Sequence, residues 1–133
     1  MESKIKKLEE LLLNDRFASY NNIRLVSIGK GEAVAEMRVT ENHLNGVNII
    51  QGGALFTLAD FAFAAASNSH GRIAVASNAC IHFFKGVSSG KLTALAKEVN
   101  SGKTLSSYTV DIVDEQGTKI AFFTGTAFQK GEY

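Results

Sequence analysis

Between Ala54 and Ala66 the chain reads Ala-Leu-Phe-Thr-Leu-Ala-Asp-Phe-Ala-Phe-Ala-Ala-Ala, a helical stretch that is apolar on every face. A helix without a polar face cannot lie on a protein surface and has to be enclosed by other elements. The wider segment from Gly52 to Ser69 is on the short side for a membrane span, holds Asp60 near its middle and lacks basic flanks, so no membrane partner is expected. The segment therefore predicts a buried core helix. Gln51-Gly52-Gly53 opens it, and Asn68-Ser-His-Gly71 closes it with glycine where helices end. Ala62, Ala64, Ala65 and Ala66 leave room for a sheet to approach the helix backbone closely.

The rest of the chain supplies that sheet. Ile23–Ile28 and Glu32–Val39 read as strands joined by a turn at Gly29-Lys-Gly31. After the helix, 73–85, 92–99, 105–113 and 120–128 are rich in β-branched and aromatic residues. Turn signals at Gly86–Gly90, Asn100–Lys103 and Asp114–Gly117 separate them. No proline and 12 glycines suit an antiparallel sheet with glycine turns. Strict alternation in the last strand puts Ile120, Phe122 and Phe128 on one side and Ala121, Phe123 and Ala127 on the other. Since a sheet covered by a helix needs only one apolar face, the second predicts a contact between subunits. Residues 2–14 place Ile5, Leu8, Leu11 and Leu12 at helical spacing, which predicts a short amphipathic N-terminal helix. The expected architecture is a single α+β domain over 1–133, with about six antiparallel strands curved around one long helix.

Composition narrows the partners. A net charge of +1 gives no electrostatic case for nucleic acid. The single cysteine, Cys80, cannot form an intramolecular disulfide or a cysteine-rich metal site. The N-terminus runs straight into an amphipathic pattern, so no signal peptide and a cytoplasmic location are expected.

Asp60 is the residue that asks for an explanation. Its helical neighbours at three and four positions are Phe56, Thr57, Phe63 and Ala64, none of which carries a positive charge, so it has no ionic partner within its own helix. A buried, unpaired carboxylate is costly, so either a neighbouring strand satisfies it or it performs chemistry. Nine residues earlier, Gln51-Gly52-Gly53 offers free N–H groups at a helix start, where an oxyanion or a polarised carbonyl can bind. Charge stabilisation and a base or nucleophile are two of the parts an acyl hydrolase needs.

The run from His43-Leu-Asn45 through Gln51-Gly-Gly to Leu58-Ala-Asp60 resembles the signature of the phenylacetate-pathway (PaaI-type) hotdog thioesterases. That family's pattern has Asn, then His-Gly-Gly six positions on, then Asp nine positions beyond the His. Asn45, Gln51 and Asp60 match the spacing without a gap, and the similarity extends over roughly 20–130. The resemblance implies a hotdog fold, a dimer of hotdogs with the active site at their interface, and a tetramer built as a dimer of such dimers. It further implies hydrolysis of a small acyl-CoA thioester without a separate cofactor, coenzyme A being part of the substrate. Asp60 takes the role of base or nucleophile, the Gly52 N–H polarises the carbonyl, and Asn45 assists. Ser77, on the strand after the helix, is the nearest candidate for the hydroxyl that supports the carboxylate in relatives. Gln51 stands where the family has histidine; it can donate a hydrogen bond to the leaving thiolate but cannot carry a protonic charge. Asn48 stands where relatives have glycine, which puts the loop that holds Asn45 in question.

Gly53, Phe56 and Phe63 are further candidates to line the substrate pocket, and Lys85 and Lys103 to meet coenzyme A phosphates. His43 reads as a solvated loop residue, His70 as a cap near the helix C-terminus, His82 as structural and Cys80 as a small apolar strand residue. The histidines show no metal-ligand spacing, so no metal is expected. Two other readings stay open: a non-catalytic acyl-CoA binding module, and a hotdog enoyl-thioester hydratase.

Overall fold

The computed structural model describes residues 2–132. Two short helices, α1 (Glu2–Leu13) and α2 (Arg16–Tyr20), lead into strands β1 (Ile23–Gly29) and β2 (Glu32–Arg38). A 3-10 turn (Glu41–His43) and the long helix α3 (Gly52–Ser67) follow. Strands β3 (Arg72–Phe83), β4 (Lys91–Ser101), β5 (Leu105–Val113) and β6 (Lys119–Glu132) complete the described chain. All six strands form one antiparallel sheet in the order β1-β2-β4-β5-β6-β3.

That order explains why the central helix has no polar face. The chain leaves β2 near one edge and re-enters the sheet at the opposite edge as β3, so α3 crosses beneath the sheet and touches every strand. Leu58, Ala59, Ala62, Ala65 and Ala66 are fully enclosed. The facing strand residues are often small as well, with Ala33 and Ala35 on β2, Ala94 and Ala96 on β4, and Ala121 and Ala127 on β6 all buried. Small side chains on both surfaces let helix and sheet approach. The larger groups Leu58, Phe63, Tyr108 and Phe123 fill the layer between, each worth roughly 1.5–3 kcal/mol of burial. Gly125 has a steric reason: a Cβ there would stand 2.9 Å from Phe63 Cζ.

Three local features depart from the sequence reading. Helix α2 was not expected; Asp15 caps it by accepting from the Ala18 N–H at 3.0 Å. In α1, Ile5, Leu8 and Leu12 turn inward, whereas Leu11 is exposed. Ile120 does not share a face with Phe122 and Phe128: the pairing of β5 with β6 skips it at a bulge, and it is buried. One unpaired residue resets strand alternation.

Strand β3 forms one edge of the sheet. Its residues Ile73, Val75, Ala76, Ser77, Asn78, Cys80, His82 and Phe83 are all exposed in the single chain. Cys80, read from sequence as an apolar strand residue, lies on this open edge strand with its Sγ 3.9 Å from His82 Nε2.

Candidate active site

The loop before α3 is held by its own asparagines. Asn45 Oδ1 accepts from the N–H groups of Val47 (3.0 Å) and Ile49 (3.1 Å), and Asn45 N–H donates to the Ile49 carbonyl at 2.8 Å. Asn45 therefore spends its oxygen on the loop and keeps its amide nitrogen available as a donor. Asn48 adopts φ 62°, the left-handed region that glycine enters freely and asparagine tolerates best among the other residues. Asparagine in place of the family's glycine thus keeps the turn.

Gln51 is the residue that precedes α3. Its own N–H donates to the His43 carbonyl at 2.8 Å, and its side chain is exposed and caps nothing. Among the described residues nothing accepts from the N–H groups of Gly52 or Gly53. These are two free donors at the positive end of a sixteen-residue helix. A Cβ on Gly52 would come within 2.9 Å of the Phe83 ring, so glycine is what lets the aromatic ring close over the helix start.

Two clefts flank this point. One, of about 420 Å³, is lined by Ile49, Gln51, Gly52, Leu55, Phe83 and Lys85, among others. The second, of about 340 Å³, lies between α2 and α3 and includes Phe17, Asn21, His43, Gln51, Gly53 and Thr57. A further groove, on the outer sheet face between Ile28 and Leu95, carries none of the motif residues.

Asp60 sits two turns along α3 on the same stripe as Gly53 and Thr57, the least covered face of the helix. Among the described residues its carboxylate has no hydrogen bond or ion pair. Burial pushes its pKa above the ordinary 3.8, and the nearby charge of Asp15 adds to the rise. Among the described residues no strand side chain pairs with it.

The remaining candidates separate. Ser77 is the extra residue in a bulge between Ala76 and Asn78 on β3; its hydroxyl donates to the Thr126 carbonyl at 3.3 Å and does not bond Asp60 within the protomer. Phe56 is half-buried, edge-on to Phe123 at 5.5 Å. Phe63 is not a pocket residue: it is 1% exposed and packed between Tyr108 and Phe123, because its helical face points into the sheet. Lys85 borders the Gly52 cleft. Lys103 does not join it. Its carbonyl accepts from Arg72 at the start of β3, whereas Lys85 follows the far end of that strand, roughly 36 Å away for an extended strand of this length.

His70 is more than a cap. Its Nε2 lies 2.6 Å from Glu98 Oε2, which also accepts from the Tyr108 hydroxyl at 2.7 Å. Burial opposes ionisation of Glu98. Those two hydrogen bonds, with the charges of His70 and Lys30, outweigh it and hold its pKa below the usual value. The cluster ties β4 and β5 to the end of α3, away from the motif. His43 also departs from its reading as solvated: it is 4% exposed, and its Nδ1 accepts from the Thr40 N–H at 3.0 Å. Sequence gave no signal for this burial. Among the described residues no three potential metal ligands come together.

Six antiparallel strands curved around a single crossover helix place the chain in the hotdog class. The family model described as "Thioesterase superfamily" matches residues 47–121, a segment that holds Gln51, Gly52 and Asp60, and the chain belongs to that superfamily, in its PaaI-type branch. It is 41% identical to the acyl-coenzyme A thioesterase PaaI of Escherichia coli, over 89% of this chain and 85% of that one. The solved structure of the E. coli PaaI protein from the phenylacetic acid degradation operon superposes with a TM-score of 0.92 at 37% identity, covering 98% of this chain and 96% of that chain. A hypothetical thioesterase from Streptococcus pneumoniae, solved with coenzyme A, gives a TM-score of 0.86 at 26% identity over 92% and 97% of the two chains.

Proposed function

We propose that this chain hydrolyses small acyl-CoA thioesters at a site shared between two protomers. The observation that carries the proposal is the placement of Gly52 and Asp60 on one rigid helix. Eight residues of helix separate them by roughly 12 Å. One thioester carbon cannot sit within bonding distance of both, so each protomer supplies half of the machinery. The exposed edge strand β3 is the natural partner surface, because an unpaired strand edge is a template for another strand. Pairing with a second copy about a two-fold axis sets the start of one α3 beside the middle of the other.

In this arrangement the thioester oxygen lies at the Gly52 N–H, helped by the Asn45 amide and the helix dipole. Asp60 of the partner protomer takes a proton from water as the water oxygen bonds to the acyl carbon, or attacks that carbon itself before water releases it. The C–S bond breaks, the thiolate leaves beside the Gln51 amide, and the carboxylic acid and coenzyme A thiol are the products. Ser77, on the shared edge, orients the carboxylate. Phe56 lines the acyl side, and Lys85 meets a phosphate. Lys103 reaches the same site only from the other protomer. No separate cofactor takes part.

Phe122, Phe128 and Leu95 on the outer sheet face pack two such dimers into a tetramer. No described helix is long and apolar enough to cross a membrane. We place the enzyme in the cytoplasm, acting on aryl-acetyl, benzoyl-like or medium-chain thioesters, with phenylacetate degradation as the pathway.

The test is release of free thiol from a panel of aryl and aliphatic acyl-CoAs by wild type and Asp60→Ala. Turnover in wild type that collapses in the variant, with the oligomer intact, supports the reading. Binding of the esters without thiol release from any of them overturns it in favour of a binding module.

A further inference from the structure

Cys80 and His82 are two residues apart on β3, so their side chains leave the same face of the strand. That face is the outer one, where they stand opposite Thr124 and Phe122 of β6, neither of which is charged. Cys80 Sγ lies 3.9 Å from His82 Nε2, and among the described residues neither side chain has another polar partner. The proposed hydrolysis uses neither of them. Thiolate and imidazole are the usual ligands of zinc, and two of them on one tetrahedral ion stand roughly 3.5 Å apart. One chain thus carries half of a four-ligand set.

The two-protomer arrangement supplies the other half. Helix α3 and strand β3 run in opposite directions: Gly52 packs at Phe83, and Asn68 exchanges hydrogen bonds of 2.9 and 3.1 Å with Ala74. Asp60, midway between Gly52 and Asn68 along the helix, is therefore level with Asn78 and Ala79. Setting the partner's Gly52 beside Asp60 brings the partner's Phe83 opposite that point. Directly opposed residues of an antiparallel pair share a face. Ala79 and Phe83 both face inward, beside Gly125 and the buried Ala121 of β6, whereas Asn78 faces outward beside Thr126. Ala79 therefore meets the partner's Phe83. In that register Ile81 lies on the two-fold axis, and Cys80 stands opposite the partner's His82. The four side chains form one block on the outer face, about 5 Å apart across the strands and roughly 7 Å apart along each.

Resting on the two-protomer reading above, we propose that Cys80 and His82 of both protomers bind one zinc ion on the two-fold axis of the dimer. Each thiol gives its proton to solvent on binding, and the two thiolates neutralise the ion. Two cysteines and two histidines fill the tetrahedral shell and leave no open position, which makes the site structural rather than catalytic. The ion sits on the outer face of the sheet, while Gly52 and Asp60 lie on α3 against the inner one. It clamps the protomers together and takes no part in hydrolysis.

The experiment dialyses reduced, chelator-treated protein against zinc and measures bound metal per chain. One zinc per two chains is expected, and cobalt in its place gives thiolate charge-transfer absorption. Cys80→Ser and His82→Asn change exposed side chains, so both variants fold as wild type by circular dichroism. Each weakens zinc affinity by about 100-fold or more, exceeding the cost of losing a group that merely supports a ligand. Thiol release from acyl-CoA stays nearly unchanged in both variants at concentrations where the dimer is assembled. Zinc lowers the concentration at which the wild-type dimer dissociates and has no such effect on either variant. No bound zinc, one zinc per chain, or an affinity unchanged in either variant overturns this inference, and the hydrolase reading stands wherever thiol release persists. One zinc per two chains without thiol release from any acyl-CoA keeps the metal site and removes the hydrolase.

Discussion

Asp15 and Asp60 are linked across the α2–α3 contact: the carboxylate that caps α2 is also the charge that, after burial, raises the pKa of the carboxylate in the middle of α3. A helix cap therefore helps tune the proposed base. A base must be ionised to work, so activity is lost as pH falls through the raised pKa of Asp60, above the ordinary 3.8. Asp15→Asn keeps a side-chain oxygen to cap Ala18 and removes the charge. The acid limb of kcat/KM against pH is expected to move to lower pH in that variant, with thermal stability nearly unchanged.

Asp60→Asn separates function from stability. Because the folded-state pKa is raised, the folded protein is at a disadvantage at every pH above it, where both states are ionised. That deficit disappears as pH falls through the raised value toward 3.8. The amide removes it throughout. Thiol release should fall by about 10²–10⁴-fold, while the thermal midpoint at neutral pH rises. A lowered midpoint in calorimetry would mark Asp60 as a structural group.

Gly52 is the first residue of α3, a position that proline tolerates because its N–H has no helical partner. Gly52→Pro deletes the proposed oxyanion donor and keeps the helix start, with the exposed Phe83 ring displaced. Circular dichroism is expected to match wild type, and kcat to drop by about 10²–10³-fold.

Asn48 tests the loop. With φ at 62°, Asn48→Gly should be neutral or slightly stabilising, whereas Asn48→Val forces a β-branched residue into the left-handed region. The valine variant is expected to lose about 1–2 kcal/mol in denaturant unfolding, and part of its activity as Asn45 moves.

Much of this was legible in the sequence because the informative residues were local. A helix apolar on all faces forced enclosure, and the spacing of Asn45, Gln51 and Asp60 pointed to the candidate site. The sequence also showed that Asp60 lacks a partner on its own helix; the absence of one on a neighbouring strand required the structure. Helix α2 escaped because five residues are too few for a periodic signal. Ile120 escaped because alternation assumes an unbroken register, and the bulge that skips it leaves no compositional trace. His43 reads as an ordinary loop residue until the 3-10 turn folds it against α3. The separation of Lys85 from Lys103 depends on which strand ends meet, which only the topology supplies.

The division of the site between two protomers is the central claim, and complementation tests it most directly. Asp60→Ala retains a working Gly52 and Gly52→Pro retains a working Asp60, and each alone should release almost no thiol from an acyl-CoA ester. After the two are unfolded together and refolded at equal concentration, half of the dimers are mixed, and each mixed dimer holds one site with both groups intact. Thiol release is predicted to recover to about one quarter of the wild-type rate. A mixture that stays as inactive as its components would contradict the account and return Gly52 and Asp60 to a single chain.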